Sequence, residues 1–337
     1  MSSGEPKERL AMRALAFRRT RALLVLVVVG AGLALTGSTA SAAPVSVNLC
    51  AVPGSATLTG AVTVPIWGFA LAPSPGACTG VAASLPGPVL SVNEGDAVTV
   101  TVTNALPAGH TLSFDVPGIA FDAGPTNAVT GASVTRTFTA GAPGTYLYSS
   151  GGDGGRQAAM GLYGALIVRP PTANQAYDPA ATAYDLEATL VLSAVDPAFN
   201  ATADPNDFNM YQYRATYWLI NGKSYPDTAP ITAAAGQRVL LRYLNAGYDN
   251  TTMLLLGMHE HVVARDARLL GNAFDAAAET IPASATEDAI ATVPSGAAPS
   301  ANGFALYNRQ LHLTNGDQTG TTPTPVAGGG MLTFIHP

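Results

Sequence analysis

The stretch "SVNEGDAVTVTVTNAL", residues 91–106, has the same layout as "TAAAGQRVLLRYLNAG", residues 232–247. Each contains a turn glycine followed by a polar residue, then a strand pattern, and then an asparagine. A strand pattern directly after a glycine turn is typical of a β-strand that enters a sheet. Because one such unit occurs twice in 337 residues, the sequence predicts two sequential β domains of common origin.

Short strand patterns also occur along the rest of the chain, bounded by Gly, Pro or Asn. No long amphipathic helical pattern competes with them, so the fold class is all-β and the architecture an antiparallel sandwich or barrel. The patterns lie at residues 62–69, 97–103, 133–139, 188–192, 217–220, 238–244, 262–264 and 331–335.

A passage rich in Pro, Ala and Asp interrupts this rhythm between residues 170 and 184. Such a composition favours a connecting segment over a strand. We therefore predict a first β domain over residues 43–172, a linker over 173–183 and a second β domain over 184–337.

Residues 1–42 have the layout of a secretory signal peptide. Six basic residues precede an uncharged apolar run at 22–35, and Ala40-Ser41-Ala42 offers a small-x-small cleavage site. This predicts export, so that the mature protein is secreted, extracellular or part of the cell envelope, which is the periplasm in a Gram-negative cell. A retained membrane anchor is the alternative, although the apolar run is short for one, and no later segment is apolar enough to span a bilayer.

The whole chain carries a formal charge of −6, and removal of residues 1–42 leaves 10 basic and 20 acidic residues, a charge of −10. Lys223 is then the only lysine. An acidic surface without a basic patch repels phosphate backbones, which argues against nucleic acid as a partner.

The two cysteines, Cys50 and Cys78, lie 28 positions apart near the start of the predicted mature chain. An even number of cysteines in an exported protein favours a disulfide, here one that closes the N-terminal region. Two buried free thiols are the alternative, and the spacing is unsuited to a metal or redox motif.

Three segments resemble the first and second cupredoxin domains of multicopper oxidases, the family that contains laccases and bacterial copper-resistance oxidases. They are residues 85–106, residues 143–150 with 160–170 ("PGTYLYSS" and "MGLYGALIVRP"), and residues 217–247. The resemblance covers nearly all of residues 80–270 and implies two tandem cupredoxin-like Greek-key β-sandwiches.

In this family, His-x-His pairs of the first domain hold a trinuclear copper cluster. The corresponding positions are Ser113-Phe114-Asp115 and Ser149-Ser150-Gly151, so that Ser113, Asp115, Ser149 and Gly151 stand where the resemblance implies histidines. Hydroxyls and a glycine do not replace imidazole as copper ligands, and one carboxylate does not hold copper alone. The His-Cys-His strand of the family's third domain has no counterpart before Pro337. We therefore expect no cofactor, with copper as the alternative.

His259-Glu260-His261 is the one notable arrangement among the five histidines. On a β-strand, a spacing of two places both imidazoles on the same face, but a metal site needs at least a third ligand. The alternative is a structural role in the sheet. We expect His110 to be structural or solvated in its turn, and residues 151–155 to form a flexible glycine-rich turn that precedes no helix.

Two classes of function remain open. The first is a non-catalytic binding or structural module of the cell envelope or extracellular space, with an unidentified protein or surface partner. The second is a copper-binding oxidoreductase of the multicopper oxidase family, or a metal-binding protein or chaperone that uses His259 and His261. The sequence does not predict the oligomeric state.

Overall fold

The computed structural model describes residues 44–316 and 329–337, so the predicted signal peptide at 1–42 lies outside the described part. The described residues form two β-sandwiches with few and short helices, which confirms the all-β prediction. The predicted disulfide between Cys50 and Cys78 is present. Within the described ranges, no helix is long and apolar enough to cross a membrane.

The first sandwich contains a four-stranded sheet of order β2-β1-β4-β7 and a three-stranded sheet of order β3-β9-β8, together with the small β5–β6 pair. Alternation shapes its strands: in β4, Val98, Val100 and Val102 are buried while the residues between them are more exposed. The strands are β1 (Pro44–Leu58), β2 (Val62–Leu71), β3 (Leu90–Asn93), β4 (Ala97–Asn104), β5 (Leu112–Ser113), β6 (Asn127–Ala128), β7 (Ser133–Thr139), β8 (Gly144–Ser149) and β9 (Tyr163–Arg169).

The second sandwich pairs a six-stranded sheet of order β11-β10-β13-β18-β15-β16 with a five-stranded sheet of order β12-β20-β19-β14-β17. Its strands are β10 (Leu186–Val195), β11 (Tyr217–Ile220), β12 (Ile231–Thr232), β13 (Arg238–Asn245), β14 (Thr251–Leu255), β15 (Glu260–Arg265), β16 (Arg268–Ala276), β17 (Ala278–Ile281), β18 (Thr286–Thr292), β19 (Phe304–Asn308) and β20 (Leu332–His336).

The helical elements are short and lie between strands. The two α-helices are α1 (Arg156–Met160), between β8 and β9, and α2 (Pro197–Asn200), after β10. Single 3-10 turns occupy Gly152–Gly155, Ala180–Thr182, Pro205–Asp207 and Met210–Gln212.

The two sandwiches repeat one topology. In the first, β1 runs parallel to β4, and in the second, β10 runs parallel to β13. The strands β4 and β13 lie in the two repeated stretches, residues 91–106 and 232–247, and each strand ends at a fully buried asparagine.

Asn104 and Asn245 perform the same task at the ends of these strands. The Asn104 amide nitrogen donates to the carbonyls of His110 and Ala128, and its oxygen accepts the N–H two residues later, at Leu106.

Asn245 donates to the carbonyls of Asp249 and Ile281, and its oxygen accepts the N–H of Gly247. In both sandwiches, one buried side chain thus satisfies three main-chain groups of the loops that follow the strand. This shared pattern of hydrogen bonds explains why both strands end in Asn, since the side-chain amide offers two N–H donors and an acceptor oxygen.

Apolar clusters and a polar cluster join the sandwiches. Leu147 and Ile167 of the first pack with Val191 and Leu244 of the second. Leu58, Val64 and Ile66 of the first pack with Val195, Tyr217 and Leu219 of the second.

The polar cluster surrounds Arg242, whose side chain is fully buried. Its guanidinium pairs with Glu187 at 2.6 Å and Asp288 at 3.2 Å, and it donates to the hydroxyl of Thr145 on β8 at 2.9 Å. Arg169, at the end of β9, pairs with Glu187 at 2.8 Å. The first sandwich therefore supplies a counter-charge to Glu187, through Arg169, and a hydrogen-bond acceptor to Arg242, through Thr145.

The domain boundaries stay a prediction. Strand β9 of the first sandwich ends at Arg169 and strand β10 of the second begins at Leu186. Within the segment between them, Ala176 and Tyr177 pack on β13, β15 and β18 of the second sandwich.

A buried carboxyl group lies in the second sandwich. Glu260 has no exposed surface, and one of its oxygens accepts the Tyr243 hydroxyl at 2.5 Å while the other has no hydrogen-bond partner among the described residues. Burial, reinforced by the nearby charges of Glu287 and Glu279, raises the pKa of Glu260 to about 8, against the opposing effect of the Tyr243 hydrogen bond. Burial likewise raises the pKa of Glu287 to about 7.

The paired asparagines generate the first prediction. We expect Asn104→Ala and Asn245→Ala each to lower the free energy of unfolding by about 2–4 kcal/mol, because each leaves two buried carbonyls without a donor. Urea unfolding followed by circular dichroism measures the change. The exposed Asn302 provides the control, since Asn302→Ala should shift stability by no more than about 0.5 kcal/mol. Equal, small effects for all three variants would contradict the shared role.

The second prediction concerns pH. Because the folded-state pKa of Glu260 lies above its ordinary value, the native state holds a proton that the unfolded chain releases, so stability falls as pH rises from about 5 to about 8. Glu260→Gln removes this titration. Between about pH 5 and pH 8, the free energy of unfolding of the variant should therefore rise relative to that of the wild type by on the order of 3 kcal/mol.

Unfolding curves at a series of pH values test this. The matched control is the exposed Asp207, because Asp207→Asn should leave the pH profile of the wild type intact. Parallel profiles for Glu260→Gln and the wild type would show that Glu260 does not titrate in this range.

Candidate functional site

The two three-residue segments that the family resemblance singled out come together at one end of the first sandwich. Ser113 ends β5, and Ser149 ends β8. Asp115 forms an isolated antiparallel bridge with Ser149, in which each N–H donates to the other residue's carbonyl at 2.9 Å. Gly151 completes the group, because its N–H donates to the Ser113 hydroxyl at 2.8 Å. The structure thus places the four predicted positions side by side.

The Ser113 hydroxyl is the centre of this group. It donates to Asp115 Oδ2 at 2.6 Å while it accepts the N–H of Gly151. The Ser113 main-chain N–H in turn donates to Ser150 Oγ at 3.1 Å. A buried hydroxyl with both a donor and an acceptor partner is satisfied, so this oxygen has little capacity left for a further ligand.

The network continues through residues that the sequence analysis missed. Ser150 Oγ donates to Gln157 Oε1 at 2.7 Å, and Gln157 Nε2 donates both to the Thr111 carbonyl and to Asp153 Oδ2 at 3.0 Å. Ser150 and Gln157 have no exposed surface. A continuous polar chain therefore runs from the partly exposed Asp115 into the interior of the sandwich.

His110 lies at the far end of this chain. Its Nδ1 is 2.7 Å from Asp153 Oδ2, its Nε2 is 3.8 Å from Asp204, and its ring meets Trp67 edge-on at 4.6 Å. The ring is buried, which confirms the structural alternative that we gave for this residue. Its carboxylate partners could not be foreseen, because Asp153 and Asp204 are 43 and 94 positions away in the sequence.

The glycine-rich run differs from our prediction of a turn that precedes no helix. Gly152–Gly155 forms a 3-10 turn that leads directly into α1. A Cβ at Gly152 would lie 2.4 Å from the Thr111 carbonyl oxygen and 2.5 Å from Gln157 Cδ, so this position requires glycine. The run brings Gln157 and Asp153 onto the Ser113 group, and the prediction was wrong because periodicity does not register so short a helix.

These residues do not fit a copper site. The positions offer three oxygen-bearing side chains and a glycine, whereas copper prefers imidazole, thiolate or thioether ligands. The buried oxygens are also already engaged in hydrogen bonds. Over residues 44–316 and 329–337, no group of three or more His, Cys, Asp or Glu side chains is placed to hold a metal ion.

His259 directly precedes β15 and His261 is its second residue, and both residues are exposed. Asp275 on the neighbouring β16 lies 2.7 Å from His261 Nδ1. Glu260, between the two histidines, faces the opposite way into the core and pairs with Tyr243, so it is no third ligand. Whether this pair binds a metal stays a prediction.

Comparison with known proteins agrees with the predicted fold. Residues 70–173, which include all four positions, match the family model for multicopper oxidase. A copper-containing nitrite reductase from Alcaligenes xylosoxydans xylosoxydans is 29% identical over 195 residues, which are 52% of this chain and 58% of that protein. The chain thus aligns with less than two thirds of that relative.

Solved structures with the same architecture include two from Nitrosomonas europaea. Its blue copper oxidase has a TM-score of 0.70 at 23% identity, covering 86% of this chain and 85% of the other. Its copper nitrite reductase has a TM-score of 0.65 at 22% identity, covering 87% and 94%. The multicopper oxidase mgLAC has a TM-score of 0.69 at 22% identity, covering 87% and 86%. The chain therefore has the cupredoxin fold of these structures, and its residues 70–173 are similar to the multicopper oxidase family.

Proposed function

We propose that this protein is a non-catalytic binding or structural module, exported to the cell envelope or extracellular space, in which a hydrogen-bond network stands in place of a copper site. The observation that carries the proposal is the closed geometry around Ser113, whose hydroxyl bridges Asp115 and the N–H of Gly151. The N-terminal sequence supports the export, and the lack of a basic patch argues against nucleic acid as the partner.

The network favours a structural role over a vacant catalytic site. A copper centre needs ligand atoms with free lone pairs that converge on one point. Here the Ser113 and Ser150 oxygens point at protein partners, and Gly151 contributes only a main-chain donor. The arrangement stabilises the junction of β5, β8 and α1, which is a structural role.

A scaffold of two sandwiches presents loops and strand edges to partners. In such modules, rigid sheets position the connecting segments that make contact. The competing function is a copper oxidoreductase, or a metal-binding protein that uses His259 and His261. Both predict copper retention, whereas a structural module does not.

The third prediction tests copper directly. The purified protein, incubated with an excess of Cu(II) and then dialysed, should retain far less than one copper per chain, show no blue thiolate-to-copper absorption and consume no oxygen with a phenolic substrate. Metal analysis, visible spectroscopy and an oxygen electrode measure the three quantities.

The His259→Ala/His261→Ala double variant separates the alternatives. Stoichiometric copper in the wild type that disappears in this variant would establish the histidine pair as a metal site. Stoichiometric copper that survives in the variant, together with oxidation of the phenol, would overturn the proposal of a non-catalytic module.

The fourth prediction tests the structural role of the network. Ser113→Ala should lower the free energy of unfolding by about 1–3 kcal/mol, because it leaves the Gly151 N–H without its acceptor and Asp115 without a donor. Ser149→Ala is the matched control, since the Ser149 hydroxyl forms no hydrogen bond with any residue of the described ranges. Chemical unfolding should show a change within about 0.5 kcal/mol for this control. Equal effects of the two variants would contradict the bridging role of Ser113.

A further inference from the structure

A cleft of about 520 Å³ lies between the two sandwiches. The first sandwich contributes Tyr146 and Leu147 of β8 and the loop at Pro117. The second contributes the turn between β15 and β16, at Asp266, and the loop before β18. This volume is within the range of small-molecule and peptide sites, which occur preferentially at such domain junctions.

One wall of the cleft is an interrupted sheet edge. The main chain of Ser149 faces away from β9, since it exchanges both hydrogen bonds with Asp115, and the Thr145 carbonyl accepts the Thr286 hydroxyl at 2.7 Å. Because alternate residues of a strand direct their main-chain groups to the same side, Leu147 points to this edge as well.

Pro117 explains why the pairing stops there. Continuation of the Asp115–Ser149 bridge would place Pro117 opposite Leu147, and proline has no N–H to donate to the Leu147 carbonyl. No hydrogen bond joins Pro117 and Leu147. The Leu147 main chain also forms no hydrogen bond with any described residue outside its own sheet. Buried main-chain groups are nearly always paired, so this donor and acceptor call for a partner from outside the protein.

The opposite side of the cleft supplies a free cation. The Arg268 guanidinium forms no hydrogen bond or ion pair with any residue in 44–316 or 329–337. Burial raises the pKa of Tyr146, and the Arg268 charge opposes this effect by lowering it. Arg265, in contrast, is engaged by Glu279 and Glu287 at 2.8 and 2.9 Å. A free guanidinium at a cleft is suited to a carboxylate, which it binds in bidentate geometry.

Glycine at position 144 fixes this arrangement. A Cβ there would lie 2.6 Å from Ala267 Cβ, so the glycine allows the turn before Arg268 to approach β8 closely. Asp266 also lines the cleft, with one carboxylate oxygen accepting the Thr286 N–H, and it offers an acceptor to a ligand N–H. A ligand for this cleft therefore needs both N–H groups and a negative charge.

We propose that the cleft binds the carboxyl-terminal residues of a peptide, whose main chain pairs with Leu147 and whose terminal carboxylate pairs with Arg268. Strand addition of this kind takes its affinity from main-chain hydrogen bonds and its selectivity from the groups beside the edge. This proposal rests on the proposed function and gives the binding module a site and a ligand class. Leu147 and Arg268 do not belong to the Ser113 network, so the peptide experiment can fail while the copper experiment succeeds, or the reverse.

The test uses two probes, N-acetyl-trialanine with a free carboxyl terminus and the same peptide as its carboxyl-terminal amide. Titration of the isotopically labelled protein, followed by amide NMR spectra, gives Kd and reports on the Leu147 N–H directly. We expect the free acid to shift the Leu147 resonance and to bind at least tenfold more tightly than the amide.

Two variants decide the role of the cation. In Arg268→Gln the acid should lose its advantage and bind no more tightly than the amide. Arg309→Gln, which removes an exposed arginine that does not line the cleft, should bind as the wild type does. Thermal melts confirm that both variants are folded. The proposal is overturned if neither peptide shifts Leu147 at millimolar concentration, or if Arg268→Gln retains the preference for the acid.

Discussion

The buried guanidinium of Arg242 is the interaction on which the relative placement of the two sandwiches depends. An arginine without any exposed surface keeps its charge, so its environment has to supply counter-charges and hydrogen bonds. Glu187 and Asp288 supply the charges from within the second sandwich, and Thr145 supplies a hydroxyl from β8 of the first. Because Thr145 also donates to Asp288 at 2.6 Å, the first sandwich adds two hydrogen bonds to this network, in which Arg242 Nη2 has no hydrogen-bond partner among the described residues.

This constraint reaches the rest of the molecule through β8. Thr145 fixes the start of that strand against the second sandwich, and Ser149 at its end carries the bridge to Asp115. Leu147, halfway between, faces the interdomain cleft. One six-residue strand therefore connects the domain interface, the cleft and the Ser113 network, and a shift of β8 would disturb all three.

Much of the fold could be predicted from the sequence, because burial on alternate residues leaves a period-two pattern in β4 and β7, whereas β13 is a continuously buried apolar strand. Strand β1 was missed, since Pro53 and Gly54 interrupt it. The structure accepts Pro53 because the parallel pairing with β4 ends at Ala51, so from there the strand has a free side where an absent N–H costs no ladder bond. Strand β16 was missed for another reason: it is an edge strand exposed over nearly its whole length, and exposure on both faces leaves no alternation to detect.

The candidate site was predictable only where family resemblance fixed its positions. Ser113, Asp115, Ser149 and Gly151 were located by the segments around them, and the structure brings them together. Their partners were not predictable, because Gln157 and Asp153 reach the group through a five-residue helix and a glycine turn that leave no periodic signal. A hydrogen-bond network is specified by distances in space, and these residues are polar types that also occur on any surface.

Two features of one short segment act on β8 in different ways. At Ser113 and Asp115, side chains that cannot hold copper form bonds with each other, and this closes the end of the sandwich. Two residues later, Pro117 stops the same pairing and leaves the edge of β8 open. Closure depends on side chains and opening on the main chain, and both act on β8, whose Ser149 carries the bridge and whose Leu147 lines the cleft. The Ser113 network therefore holds the end of β8 in place, and the proposed binding role at the cleft requires such a stable scaffold.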